Sequence, residues 1–378
     1  MRRVITVAGA VALCVAGAGP GAGAATGDGK VLTIGDDRIT ESSGLAASSR
    51  HPGVYWTHND SGGKPQLFAV GPDGRVLATV TLAGVKAVDW EAMAAGPDEH
   101  GAPALFVGDI GDNDAKRKTV SIYRIPEPEV LRDATVTPAH FPVAYEDGPR
   151  DAEALLVHPI TGQVTIASKG VLGGGLYTPD GPLREGAVTA FARIADAPVL
   201  VTDGAYAPDG SRFILRSYLG SDMFSAPGDG TGSVDTPRQR QGESVTFTSD
   251  GTSVVFGTEG ENSVLWRVVL TGDNRPESVR NPAPAAPAPP APAPSPAPDT
   301  APAAPPATPS TPVTSVAPST LAAPAPGVLP ASPAPAEVSG TASDADSAGT
   351  PPWVWAAAAF GTLGLLGAVA WLRRTARR

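Results

Sequence analysis

Short apolar runs broken by Gly, Pro, Asn and Asp recur from Val31 to Leu270, and no long amphipathic helical period intervenes. The pattern predicts an all-β chain. Val31-Leu32-Thr33-Ile34 stands first, as a strand with no obvious partner nearby. Residues 44–48, 54–57, 66–70 and 75–82 follow as a group of four, the last two joined by the turn Pro72-Asp73-Gly74. A second group runs through 91–95, 104–107, 120–125 and 136–145, and a third through 153–157, 164–167, 175–177 and 188–194. The fourth passes through 213–215 and 223–224, and the fifth through 254–256 and 264–270.

Each group opens on a related phrase: an acid or hydroxyl, a small residue in most copies, then apolar residues. The copies are Ser43-Gly44-Leu45, Glu91-Ala92-Met93, Glu153-Ala154-Leu155, Asp203-Gly204-Ala205 and Glu243-Ser244-Val245. Repetition at this period marks a repeated supersecondary unit. Five units of four strands predict a five-bladed β-propeller, with the isolated first strand completing the last blade and leaving no open edge. A sixth blade is the alternative, hidden in the long unit between Glu91 and Asp151.

In such a ring the first strand of every blade lines the central channel. Ser43, Glu91, Glu153, Asp203 and Glu243 are therefore expected to converge, with Glu41, Asp89 and Asp151 two residues earlier on the same strand face. Clustered carboxylates raise one another's pKa unless a counter-charge is present. Ca²⁺ meets that need, because it takes six to eight oxygen ligands in irregular geometry. The competing reading is that these acids bond backbone N–H groups of the next blade and only hold register. A second polar set follows the second strands: His58-Asn59-Asp60, Asp109, Lys169, Arg216 with Tyr218, and Glu259. As a catalytic set, Lys169 and Arg216 would bind an anion, Tyr218 would donate a hydrogen bond, and Asp109 or Asp60 would activate water. Turn-forming loop tips are the plainer explanation of the same residues.

Composition places this unit in a longer plan. Residues 1–24 read as an export signal: Arg2 and Arg3, an apolar run, then Ala22-Gly23-Ala24. Cys14, the single cysteine, lies inside it, so a processed chain has neither disulfides nor thiolate chemistry. Residues 25–280 form the propeller domain, and 281–350 a Pro/Ala-rich stalk without Lys or Arg. Residues 351–372 are an uncharged span long enough to cross a bilayer, and 373–378 a basic tail that stays inside. No LPxTG-like motif precedes the span, which favours a retained anchor over wall attachment. Of the 28 Lys and Arg, six lie in the leader and tail, whereas only four of the 38 Asp and Glu lie in the stalk. The strongly acidic domain argues against nucleic acid as a partner. It suits cations or a basic partner, with an anionic small molecule or a protein as the extracellular ligand.

The opening phrases resemble those of the phytase-like propellers with "esterase-like activity of phytase". The ring of Ser43, Glu91, Glu153, Asp203 and Glu243 is similar to that of the calcium-activated nucleotidases, the apyrases. The resemblance covers roughly residues 31–270. It implies a central Ca²⁺ and, as the alternative to a binding module, Ca²⁺-dependent phosphoester hydrolysis. The overall plan also resembles exported actinobacterial proteins that carry a propeller on a Pro/Ala stalk.

Overall fold

The computed structural model describes residues 27–60 and 62–282. The leader, nearly all of the stalk, the apolar span and the basic tail expected from the sequence lie outside the described residues. Within them the chain is nearly all β, and no helix is long and apolar enough to cross a membrane.

The first strand is β1 (Gly29–Thr33). Unit 1 comprises β2 (Ser42–Ala47), β3 (Tyr55–Asn59), β4 (Gln66–Val70) and β5 (Val76–Leu82). Unit 2 comprises β6 (Trp90–Pro97), β7 (Pro103–Asp109), β8 (Val120–Pro126) and, after a short β9 (Ala134–Val136), β10 (Ala139–Tyr145). Unit 3 is β11 (Ala152–Val157), β12 (Val164–Ser168), β13 (Gly174–Thr178) and β14 (Thr189–Ala197). Unit 4 is β15 (Val201–Tyr206), β16 (Phe213–Ser217), β17 (Gly220–Ala226) and β18 (Asp229–Val234). Unit 5 is β19 (Gly242–Phe247), β20 (Ser253–Thr258) and β21 (Val264–Val269), followed by a four-residue helix, α1 (Glu277–Arg280).

Every unit is an antiparallel meander, as tight turns between consecutive strands require. Gly74 at φ +81° makes the hairpin of Pro72-Asp73-Gly74 possible, since a side chain is strained there. The isolated first strand joins the last unit: β1 pairs antiparallel with β21, Gly29 opposite Arg267 and Thr33 opposite Val264. The expected run 136–145 divides instead. Val136 is the last residue of β9, which pairs parallel with β5 of unit 1, and only β10 completes unit 2. The extra length of unit 2 therefore adds a strand to its neighbour and makes no further four-stranded unit among the described residues. The outer strands β10 and β14 pair in parallel, so units 2 and 3 form one continuous eight-stranded sheet. Its two end strands, β6 and β11, pack against each other, which folds this sheet back on itself.

Inner strands touch in order: β2 against β6, β6 against β11, β11 against β15, β15 against β19, and β19 against β2. The apolar side chains follow the same cycle. Trp56 and Leu67 of unit 1 pack on Trp90 and Leu105 of unit 2, and Phe106 and Ile122 on Leu155 and Phe191 of unit 3. Leu156 and Leu176 meet Phe213 and Leu215, Ile214 and Met223 meet Val245 and Phe256, and Val255 and Leu265 meet Leu45 and Phe68. The inner strands are thus buried on both faces. That explains why β11 and β19 are buried at all six positions and show no two-residue alternation.

Candidate functional site: an acidic mouth

The inner hairpin of each unit carries a register break where the repeated phrase begins. Pairing jumps from Trp90 to Ala92 around Glu91, from Ala152 to Ala154 around Glu153, and between Ser42 and Leu45 and between Gly242 and Val245. A bulge of this kind leaves one residue unpaired and re-aims its side chain. It turns Ser43, Glu91, Glu153 and Glu243 to equivalent places, all four buried.

The fourth copy is out of phase with the sequence alignment. Its break lies between Val201 and Asp203, so Thr202, not Asp203, occupies the equivalent place. Asp203 is wholly buried between units 4 and 5. Its Oδ2 accepts the N–H of Val245 at 2.8 Å and its Oδ1 that of Gly204 at 2.7 Å. Burial pushes its carboxyl well above the usual range. Its contacts are those of a register-holding acid rather than of the metal ligand expected from the sequence. Ser43 acts similarly, its Oγ donating to the carbonyl of Glu91 at 2.7 Å.

The second polar set gathers at the same end, because β3, β12, β16 and β20 run antiparallel to the inner strands and finish where those begin. The N–H groups of Asp60, Lys169, Tyr218 and Glu259 bond the carbonyls of Glu41, Asp151, Leu200 and Gln241. These four are therefore equivalent, and in unit 2 the corresponding bond, to the Asp89 carbonyl at 3.2 Å, comes from the N–H of Gly111, two residues past Asp109. Three carboxyl groups meet between units 1 and 2: oxygens of Asp60, Asp89 and Glu91 all lie within 4.8 Å of one another. Gly111 closes over them. A Cβ there would stand 2.5 Å from Asp89 Oδ2 and 2.6 Å from Glu91 Oε1.

On the other side of the mouth the counter-charge is a side chain. The ammonium of Lys169 is bonded to Glu153 Oε1 and lies 5.1 Å from the centre of the Tyr218 ring. Tyr218 in turn donates its hydroxyl to Glu243 Oε1 at 2.8 Å. Burial raises all three inner glutamates. Glu243 reaches about 7, with the Tyr218 bond opposing the rise. Glu153 reaches about 8, with Lys169 opposing it and Glu243 and Asp151 adding to it. Glu91, beside Glu153, Asp60 and Asp89, reaches about 10. Asp89 is also raised, by burial and by Asp151. Burial works against the charge of Lys169, yet Glu153 outweighs it and its pKa is raised. Asp151 accepts the N–H of Asp112 at 2.8 Å, and Glu41 is exposed at the rim.

Two residues of the expected catalytic set face elsewhere. Arg216 is buried, its guanidinium donating to the carbonyls of Ser244 at 2.7 Å and Gly257 at 2.6 Å and to Gln239 Oε1 at 2.9 Å. Its donors tie unit 4 to unit 5 and are not presented to an anion. Asp109 holds Arg117 at 2.6 Å and accepts the N–H groups of Val88 and Asp89, so it is a paired acid and not a base poised on water. His58 is wholly buried and held neutral by that burial, at about 4, edge-on to Trp90. The opposite mouth differs in kind. A cavity of about 380 Å³ there is lined by Ala46, Ala94, Val157, Ala205 and Phe247 among others, with no Asp, Glu, Lys, Arg or His in its wall.

Sequence reasoning did not include Asp60 in the metal-binding set, because Asp60 belongs to a different strand and unit from Asp89 and Glu91. Its place directly after the second strand was the available signal. No family model matches the chain, and no characterised protein is significantly similar to it.

Proposed function

We propose that the chain is a five-bladed β-propeller that serves as a cell-surface binding module, with a divalent cation at its acidic mouth. The cyclic order of inner strands and apolar clusters supports the five blades, and the pairing of β1 with β21 supports a ring closed by the N-terminal strand. The leader, stalk and apolar span read from the sequence support display outside a membrane. One observation carries the cation: carboxylate oxygens of Asp60, Asp89 and Glu91 share one place, with no side-chain cation bonded to Asp89 or Glu91 among the described residues. An all-oxygen set of acids fits Ca²⁺ better than Zn²⁺ or Cu²⁺. There Ca²⁺ would supply the charge that lets these groups ionise together.

Melting of the full chain in calcium and in EDTA tests this. At a hundredfold excess over Kd the cation adds about 2.7 kcal/mol, roughly 5–10 °C for a domain of this size. The shift should vanish in Asp89→Asn/Glu91→Gln, and no shift in the native chain sinks the cation.

The phosphoester hydrolase that the resemblance implies has less support, because Arg216, Asp109 and Lys169 are each engaged with protein groups. Calcium-dependent phosphate release from nucleotides or phytate that is lost in a folded Glu153→Gln variant would favour it.

A further inference from the structure

The backbone of Asp89, one of the three acids at the candidate cation site, is held on both sides by a closed circuit of hydrogen bonds. Its N–H donates to Asp109 Oδ1 at 3.3 Å, and Asp109 Oδ2 accepts the preceding N–H, that of Val88, at 3.0 Å. Arg117 donates from Nη2 to Asp109 Oδ1 at 2.6 Å and from Nη1 to the carbonyl of Gly111 at 2.7 Å. The N–H of Gly111 returns to the carbonyl of Asp89 at 3.2 Å. The segment ahead of β6, the end of β7 and the loop after it thus fix one another.

The loop that carries Arg117 is itself wound tight. The two oxygens of Asp112 accept the N–H groups of Lys116 at 2.9 Å and Arg117 at 2.7 Å, and its own N–H donates to Asp151 of unit 3 at 2.8 Å. Asp109 and Asp112 are both buried, with their carboxylates engaged by backbone N–H groups and by Arg117. They are therefore supports and not ligands. What they support is the pair that meets at the acid cluster: Gly111 has no side chain, and Asp89 Oδ2 lies 2.5 Å from where one would begin.

We propose that Asp109 and Arg117 are the positioning residues of the cation site, touching no cation themselves and setting its affinity by fixing Asp89 and Gly111. The proposal rests on the cation reading of Asp60, Asp89 and Glu91. Groups that orient metal ligands from behind typically change metal affinity by about 10–100-fold, because a ligand left free must be ordered when the metal binds. Arg117 gives the effect a telling sign. A positive charge beside a cation site opposes binding by direct repulsion, so loss of Arg117 acting through charge alone would tighten calcium binding. Loss of a support weakens it.

Calorimetric titration of the full chain with calcium compares the native protein with two variants. Arg117→Lys keeps the charge but loses the two-pronged bond, and Asp109→Asn/Arg117→Met leaves no buried charge unpaired. Both should bind calcium at least tenfold more weakly. In EDTA, amide hydrogen exchange at Val88 and Asp89 should be faster in the double variant, while the strands of units 4 and 5 exchange as in the native chain. Native or tighter affinity in either variant overturns the proposal, and so does unchanged exchange at these two amides. A native chain that binds calcium no better than the variants sinks the positioning role and leaves the cation standing. A native chain that binds no calcium at all sinks the cation, and this role with it.

Discussion

The ammonium of Lys169 is bonded to the carboxylate of Glu153, while Glu91, the equivalent of Glu153 in unit 2, stands against two other acids, Asp60 and Asp89. Lys169 thus neutralises one side of the acidic mouth from within. The side where three carboxyl groups meet is where an external cation has most to offer.

Lys169→Met should remove the one counter-charge that Glu153 has and leave a carboxylate buried alone. Breaking such a pair from one side costs about 3 kcal/mol or more. Urea unfolding should show that loss, and Lys169→Met/Glu153→Gln should recover most of it. A single variant as stable as the native chain would show that Glu153 does not depend on Lys169.

Asp203→Ala should behave as the loss of a buried acceptor and not as the loss of a metal ligand. The Val245 N–H is left without its partner, at a cost of about 1–3 kcal/mol. The calcium-dependent shift in Tm should be unchanged. Loss of that shift would return Asp203 to the cation site.

Gly111→Ala puts a methyl group where Asp89 and Glu91 now approach the backbone. The carboxylate ends can swing aside, so the fold should survive. Calcium affinity should fall at least tenfold, read by calorimetry, and unchanged affinity would place the cation elsewhere.

The pH dependence has a definite sign. The inner glutamates have folded-state pKa values raised to about 7, 8 and 10, above the ordinary 4.5. In the window from about 4.5 upward the folded state holds more protons than the unfolded one, so stability falls as pH rises. In EDTA, Tm should decline from pH 5 to pH 8. In calcium the decline should shrink, because the cation favours the ionised carboxylates, and the calcium shift should be larger at pH 8 than at pH 5. A Tm in EDTA that rises over this range would contradict the burial of these acids.

Much of the fold was legible because strand pairing here is local. Turn residues mark where each hairpin reverses, so the units and most of their strands follow from neighbouring residues alone. The division of 136–145 was not legible, since nothing in Ala134-Thr135-Val136 marks β5 as its partner in place of β8. The phase of the fourth copy was hidden for a similar reason. Asp203 matches the acids of the other copies by type, but a bulge is defined by the partner strand, and that strand leaves Thr202 as the odd residue.

The repetition, the all-β character, the acid at the start of most inner strands and the strand held in reserve at the N-terminus are all properties of the linear chain. These are carried by residue type and by spacing along one chain. Which acids meet depends on the folded arrangement of the units. Asp60 joins Asp89 and Glu91 across two units, Lys169 turns to Glu153, and Arg216 turns inward to carbonyls. The physical reason is that charges interact through space, over a few ångströms that sequence distance does not measure.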